Sequence, residues 1–270
     1  MFSAEVENVS HYAEKKIKVL KERKSSYLTA AALAGLYIGI SYIFIFTVGA
    51  YLHAANSGAY KILMGASFGV GLSLVMVAGA ELFTGTNMVM AIGALDKKTS
   101  WMDGLKIWTA SWIGNFAGAL ITVLLFLASG LIKGKSNLAE FIIESAVAKV
   151  SPTALEIFAR GILCNILVCL AVWCFYKLKD DTAKLIMIFW CLFAFITTGF
   201  EHSVANMTLL PLASILSHGV EVTVAAVIKN LIFATLGNLV GGVLFVGFPY
   251  WFISKEKKSA AKPMNNSKSA

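Results

Sequence analysis

The stretch Gly199-Phe200-Glu201-His202-Ser203-Val204-Ala205-Asn206-Met207 lies between two apolar runs, residues 185–196 and 209–216. A carboxylate at the centre of a membrane-spanning helix costs about 3 kcal/mol on insertion scales, so an adjacent glutamate and histidine must face protein or water and not lipid. Backbone leaves helical geometry at membrane depth only where it is buried in protein or lines a cavity, and discontinuous helices of this kind mark permeation sites. The segment therefore reads as a break in a spanning helix, and the function is to be sought around it.

The chain as a whole suits that reading. With 270 residues, 58% of them hydrophobic and 14% charged, and a mean hydropathy of +0.75, it belongs to the polytopic membrane class and not to the water-soluble enzymes. The net charge of +8 comes from lysines gathered in short loops and tails between apolar runs. This is the pattern of cytoplasmic membrane edges, and no nucleic-acid partner is implied. Cys164, Cys169, Cys174 and Cys191 all sit in apolar runs. The first three recur every five residues, which spreads them around a helix; neither a disulfide framework nor a metal site follows, and no cofactor is expected.

Six apolar blocks, residues 27–52, 62–92, 101–132, 155–176, 185–216 and 220–253, each reach the ~20 residues that a spanning helix needs. The second and fifth are too long: 31 or 32 residues would extend about 47 Å as one helix, against a hydrocarbon core of ~30 Å. Each contains a polar interruption, so each is expected to be two half-helices joined by a loop. Ahead of the blocks, residues 1–26 carry Val6, Val9, Ile17 and Leu20 among Lys15, Lys16, Lys18, Lys21, Arg23 and Lys24, which predicts an amphipathic helix on the cytoplasmic membrane face. The channel-forming domain is then 27–253, and 254–270 is a polar tail expected to be disordered. With six alternating spans, Lys97, Lys98, Lys177, Lys179, Lys184, Lys255, Lys257 and Lys258 join the N-terminal lysines on one side. Both termini are thus expected in the cytoplasm of a cell whose inner (plasma) membrane holds the chain. The other side has Lys61, Lys133, Lys135 and Lys149.

The two interruptions match each other: Glu81-Leu-Phe-Thr-Gly-Thr-Asn87-Met88 against Glu201-His-Ser-Val-Ala-Asn206-Met207, 120 residues apart. Trp112-Ile-Gly-Asn115-Phe-Ala-Gly118 pairs with Thr235-Leu-Gly-Asn238-Leu-Val-Gly241 at 123, and Ala34-Gly35 with Arg160-Gly161 at 126. Three pairs in order at a nearly constant offset indicate a duplicated three-span unit. Because three is odd, the second copy is inverted in the membrane, with a site on the pseudo-two-fold axis. The expected fold is an all-α membrane protein with two inverted three-helix repeats, about 27–132 and 155–253, aquaporin-like, with helices 2 and 5 broken.

The motifs Ala80-Glu-Leu-Phe-Thr-Gly-Thr86, Arg160-Gly-Ile-Leu-Cys-Asn165, the 199–207 stretch and Gly237-Asn238 resemble those of the formate/nitrite transporter family of small-anion channels, over residues 26–253. The resemblance implies a homopentamer in the lipid bilayer with one pore per protomer, and small monovalent anions as partners. Carried over by position, it implies a central histidine at His202 facing Thr84, pore asparagines at Asn165 and Asn238, and a vestibule lysine at Lys149. It also implies hydrophobic constrictions at Leu72, Phe83 and Phe195, with Phe68 and Val168 as further lining. The link after Met207 is short and lacks the longer insertion of the family's formate members, so the resemblance implies the hydrosulfide branch over the formate and nitrite branches.

The residue types suit an anion path. Half-helices starting near the membrane centre present unpaired N–H groups and a positive dipole end. Apolar rings reject ions, since dehydration costs on the order of 20 kcal/mol, whereas protonating an acid of pKa ~3.5 at pH 7 costs about 5 kcal/mol. An arriving anion favours imidazolium at His202, from which a proton can be passed to make the neutral acid. Each assignment has a plain alternative. His202 is otherwise a packed histidine bonded to Thr84, and the phenylalanines are ordinary span packing. Glu81 and Glu201 are read as structural acceptors of backbone N–H bonds at the half-helix starts, and Asn115 as an interhelical hydrogen-bonding group. The alternative function is an aquaporin-type channel for water or neutral solutes, which would carry paired Asn-Pro-Ala where this chain has Thr-Gly-Thr and Val-Ala-Asn. No nucleophile–base pair supports an enzyme.

Overall fold

A computed structural model describes residues 1–132 and 136–255, and every regular element among them is helical. Lys133, Lys135, Lys257, Lys258 and the tail from 256 lie outside the described residues. Helix α1 (Ser3–Glu22) turns Val6, Val9, Ser10, Ala13 and Ile17 to one side, the i, i+3, i+4 spacing of an apolar stripe. That stripe packs onto the protein's own helices, chiefly α5 (Phe83–Leu95) and the start of α2 (Lys24–Ala54), so the N-terminal helix is part of the helical body. At its start Phe2 places its ring edge-on to Trp173 and Tyr250.

Both expected breaks are present. The first long block runs as α3 (Tyr60–Ser67), α4 (Gly69–Leu74) and a π-turn at Val75–Gly79, then leaves the helix over Ala80–Leu82 before α5 begins. The fifth runs as α9 (Asp181–Thr198), breaks over 199–202, and resumes as α10 (Ser203–Leu216). Each first half ends at a glycine in the left-handed region, Gly79 at φ 85 and Gly199 at φ 79, a conformation that a Cβ would strain. The remaining spans are α6 (Trp101–Ala128), α8 (Ala154–Lys177) and α11 (Val224–Gly242), the last continuing through a π-turn into α12 (Phe248–Ser254). Capping boxes at Ser100–Asp103 and Thr153–Glu156 start α6 and α8, satisfying N–H groups that the helix itself leaves orphaned.

The element order is thus the same twice: a long helix, a broken one, a long one. Packing repeats with it. Helix α2 meets α6 where Gly35 and Gly118 leave no room for a Cβ against the backbone of Asn115 and Ala32, and α8 meets α11 through Gly161, Gly237 and Gly241 in the same manner. Trp112 and Thr235, at matching places in the two repeats, hydrogen-bond to each other at 3.1 Å, as expected of residues beside an axis relating the halves. One element was not foreseen: α7 (Asn137–Val150), a helix of 14 residues between the repeats. It stands before α8 as α1 stands before α2. The expected end of the third block at residue 132 moves to Ala128, with Gly130 in the left-handed region at φ 72 just beyond it, and Ser254, assigned to the tail, is the last residue of α12.

Candidate functional site

The second break puts His202 at the N-cap of α10, where Nδ1 accepts the Ala205 N–H at 3.1 Å. An imidazole that accepts at Nδ1 carries its proton on Nε2. That atom lies 3.2 Å from Thr84 Oγ1, in the first turn of α5, so the two half-helix starts meet through these side chains. With Nε2–H donating to Thr84, the threonine hydroxyl keeps its own hydrogen for a further acceptor. A second proton on His202 would displace the Ala205 cap. The geometry therefore favours a neutral ring that donates from Nε2; the imidazolium expected from sequence is one that an arriving anion would induce.

Apolar side chains close the surroundings. The Phe195 ring stacks on His202 with centroids 5.7 Å apart, Phe68 meets Phe195 at 5.7 Å, and Tyr42 meets Phe68 at 5.6 Å. Leu72, Phe83 and Val168 are all buried. Leu72 borders a void of about 40 Å³ shared with Lys16, Val75 and Val172.

Asn115 and Asn238 hold the two breaks in the same way. Asn115 Oδ1 accepts the Phe83 N–H at 2.9 Å, while its Nδ2 donates to the carbonyls of Ala31 and Glu81 at 2.8 and 2.9 Å. Asn238 Oδ1 accepts the Ser203 N–H at 2.9 Å, and its Nδ2 donates to the carbonyls of Gly161 and Glu201 at 2.9 and 2.8 Å. Asn165 donates to the carbonyls of Thr84 and Asn238 at 3.2 and 2.6 Å and to Asn87 Oδ1 at 3.0 Å. The amides of both expected pore asparagines are thus engaged with the backbone of the breaks, and Asn115 is the structural twin of Asn238.

The glutamates do not cap the half-helices, which corrects that expectation; the asparagines and His202 do. Both carboxylates instead hold lysines. Glu201, fully buried, takes the Lys149 ammonium at 3.0 Å on Oε1 and the amides of Asn206 and Asn230 at 2.6 and 3.2 Å on Oε2. Glu81 takes the Lys16 ammonium and the Tyr27 hydroxyl, the latter at 3.4 Å. The two lysine side chains are 14% and 15% exposed, while Glu81 is 21% exposed and Glu201 not at all, so the pairs share their chemistry and differ in how deeply the carboxylate is buried. Burial is the largest single influence and works against each ammonium, yet the partner glutamate together with nearby tyrosines, Tyr176 and Tyr27 for Lys16 and Tyr42 for Lys149, outweighs it, and both lysine pKa values are raised. Lys16 was not singled out from sequence, because it is one of six cations within ten residues. The duplicated glutamate was the signal that a second lysine should exist.

Each pair sits in the wall of a cavity. One, of about 470 Å³, is lined by Tyr42, Phe141, Lys149, Arg160, Phe200 and Glu201 among others; the other, of about 350 Å³, by Tyr12, Lys16, Tyr27, Ala80, Glu81 and Tyr176. We refer to them as the α7-side and α1-side cavities. A larger apolar groove of about 630 Å³ between α6, α10 and α11 includes no charged residue.

The sequence profile described as "Formate/nitrite transporter" matches residues 3–252. The nitrite transporter NirC of Salmonella typhimurium is 35% identical over 273 residues, covering 100% of this chain and 99% of that protein. A solved structure titled "FNT family ion channel" superposes with a TM-score of 0.87 at 36% identity, covering 93% of this chain and 99% of its own. Another, titled "Pentameric formate channel with formate bound", gives a TM-score of 0.76 at 32% identity over 86% of this chain and 98% of its own. With its broken helices, its twin lysine–glutamate pairs and these matches over nearly its whole length, the chain belongs to the formate/nitrite transporter family.

Proposed function

We propose that the chain is a channel for small monovalent weak-acid anions, with formate, nitrite and hydrosulfide as the candidate substrates. Support for the anion class comes from the relatives described as nitrite transporter and formate channel. The observation that carries the mechanism is the His202–Thr84 pair, sealed on one side by Phe195 and Phe68 and set between two cavities that each hold a buried lysine. A hydrated ion does not pass such a seal, because dehydration costs on the order of 20 kcal/mol. The neutral acid does pass, at about 5 kcal/mol for protonation at pH 7. The proton is taken from water in the cavity, while the hydroxyl of Thr84, oriented by Nε2–H of His202, donates to the crossing solute and holds it in register. Asn165, Asn238 and Asn115 keep the two half-helix starts in place for this, and Leu72, Phe83 and Val168 complete the dry path.

The lysine distribution supports cytoplasmic termini and a place in the cell's inner membrane, with the α1-side cavity facing inward. The pentameric relative supports a homopentamer with one pore per protomer. Stopped-flow uptake into proteoliposomes, comparing formate, nitrite, hydrosulfide, chloride and water, tests the reading. Flux of the weak-acid anions well above chloride, rising about tenfold per unit fall in pH while the pH stays above the acid's pKa, is the expected result. Chloride flux equal to formate, or rapid water flux without anion flux, would sink it.

A further inference from the structure

The two cavities are the same device used twice, and they differ in charge at the residue beside each break. The Glu81 N–H donates to the Ala30 carbonyl at 3.1 Å, and the Glu201 N–H to the Arg160 carbonyl at 3.3 Å. Ala30 and Arg160 therefore occupy equivalent places beside the two breaks, each lining its own cavity; the Asn115 and Asn238 amides likewise match Ala31 with Gly161, which corrects by one helical turn the pairing of Ala34-Gly35 with Arg160-Gly161 expected from sequence. In both cavities the buried lysine is matched by its glutamate. An ammonium neutralised by a carboxylate 3.0 Å away presents little net field to an ion several ångströms further out, because the two Coulomb terms nearly cancel.

Of the other charged groups around the α7-side cavity, Glu144 stands 3.5 Å from His53, and Lys61 is exposed at the rim with its ammonium over the Tyr60 ring. Arg160 is half-buried, and among the described residues no carboxylate lies within ion-pair distance of it. Glu156, one turn before it, has its carboxylate engaged with the N–H and hydroxyl of Thr153 at 2.7 and 2.8 Å. On the α1 side the corresponding extra cation is Lys15, exposed at the rim and not in the wall beside the break. A guanidinium is always ionised, so it presents a fixed unit charge to the cavity at any assay pH.

We propose that Arg160 is the anion-capture residue of the α7-side cavity, taking small monovalent oxyanions such as formate or nitrite from water ahead of the Lys149–Glu201 pair. The proposal rests on the channel reading above and names the residue that loads one end of it. Capture acts on the encounter, so it changes the half-saturating concentration and leaves passage across Phe195 and His202 unaltered. It also makes the two mouths electrically unequal.

The test uses right-side-out and inverted membrane vesicles from cells expressing the full chain, normalised for assembled protein, with initial nitrite and formate uptake measured against concentration. At low ionic strength Arg160→Gln is expected to raise KM about threefold, as for one unit charge some ~7 Å from the anion in a water-like dielectric. The rise appears only in the orientation that presents the α7-side cavity, with maximal flux unchanged. At ~0.5 M salt the difference disappears by screening, and Arg160→Lys keeps the wild-type KM. An unchanged KM for Arg160→Gln at low salt, an increase that survives high salt, or a loss of maximal flux alone would overturn the assignment. Wild-type vesicles taking up neither anion faster than empty ones would instead defeat the channel reading, and this proposal with it.

Discussion

His202 does two jobs through two nitrogens, and a substitution can separate them. Asparagine at 202 can still accept the Ala205 N–H and so keep the α10 cap, but it removes the donor that faces Thr84. His202→Asn is therefore expected to fold and assemble with flux lowered about five- to tenfold, the worth of one hydrogen bond of ~1–1.4 kcal/mol. His202→Ala should lose about 1 kcal/mol of stability in addition, as other N-cap truncations do. Flux in liposomes beside thermal unfolding in detergent separates the two, and wild-type flux in His202→Asn would reduce the ring to a cap. The buried lysines give a second contrast. Lys149→Met leaves fully buried Glu201 without its cation and should destabilise by about 3–5 kcal/mol; Lys16→Met should do less, because the Glu81 side chain is 21% exposed. Adding Glu201→Gln to Lys149→Met should recover most of the loss, and no recovery would mean the pair is not what Lys149 is held by. Both lysine pKa values are raised, so the ammonium groups are fully present below the ordinary lysine value and titrate only above it. Between pH 5 and 9, about the range of a flux assay, neither lysine loses its charge, and the pH dependence predicted there is that of the permeating acid.

The broken helices are where sequence and structure agree most closely, and the reason is physical. A carboxylate, an imidazole and several hydroxyls within an apolar run too long to span leave few alternatives, and duplication removes most of the rest. The twin asparagines were visible as a repeated pair at 115 and 238, and their bonding is the same atom for atom. The amide of either one serves an N–H and two carbonyls in a fully buried place, so Asn115→Ala and Asn238→Ala should each cost about 2–4 kcal/mol. A near-wild-type melting midpoint for either would contradict the twinning. What sequence did not disclose was partner choice. The glutamates were read as helix caps because an acidic group near a half-helix start suits the dipole; lysines from α1 and α7 reach them only because those helices fold back over the cavities. Helix α7 itself, too short and too amphipathic to register as a span, was missed. For α1 the apolar stripe was correctly legible while its docking surface was not, since an amphipathic face fits lipid headgroups and a protein groove equally well.

The six apolar spans among the described residues leave long exposed apolar faces, for example Ile113, Ile121, Leu124 and Leu125 on α6 and Ile228, Ile232 and Leu236 on α11. Such faces are met by lipid or by neighbouring protomers, not by water. Because the assembly would be built from these spans, deletion of residues 1–22 should leave the oligomer intact on size-exclusion chromatography while unpairing Glu81; dissociation to monomers would show that α1 holds protomers together. The central claim is that the solute crosses the Phe195–His202 seal as the neutral acid, with the anion gathered on either side. The most direct measurement is uptake of formate and chloride into wild-type proteoliposomes across pH 5 to 8. The account predicts formate flux that rises about tenfold for each unit fall in pH, accompanied by uptake of one proton per formate, with chloride flux low and flat. Formate flux independent of pH, or formate entry without proton uptake, would contradict it.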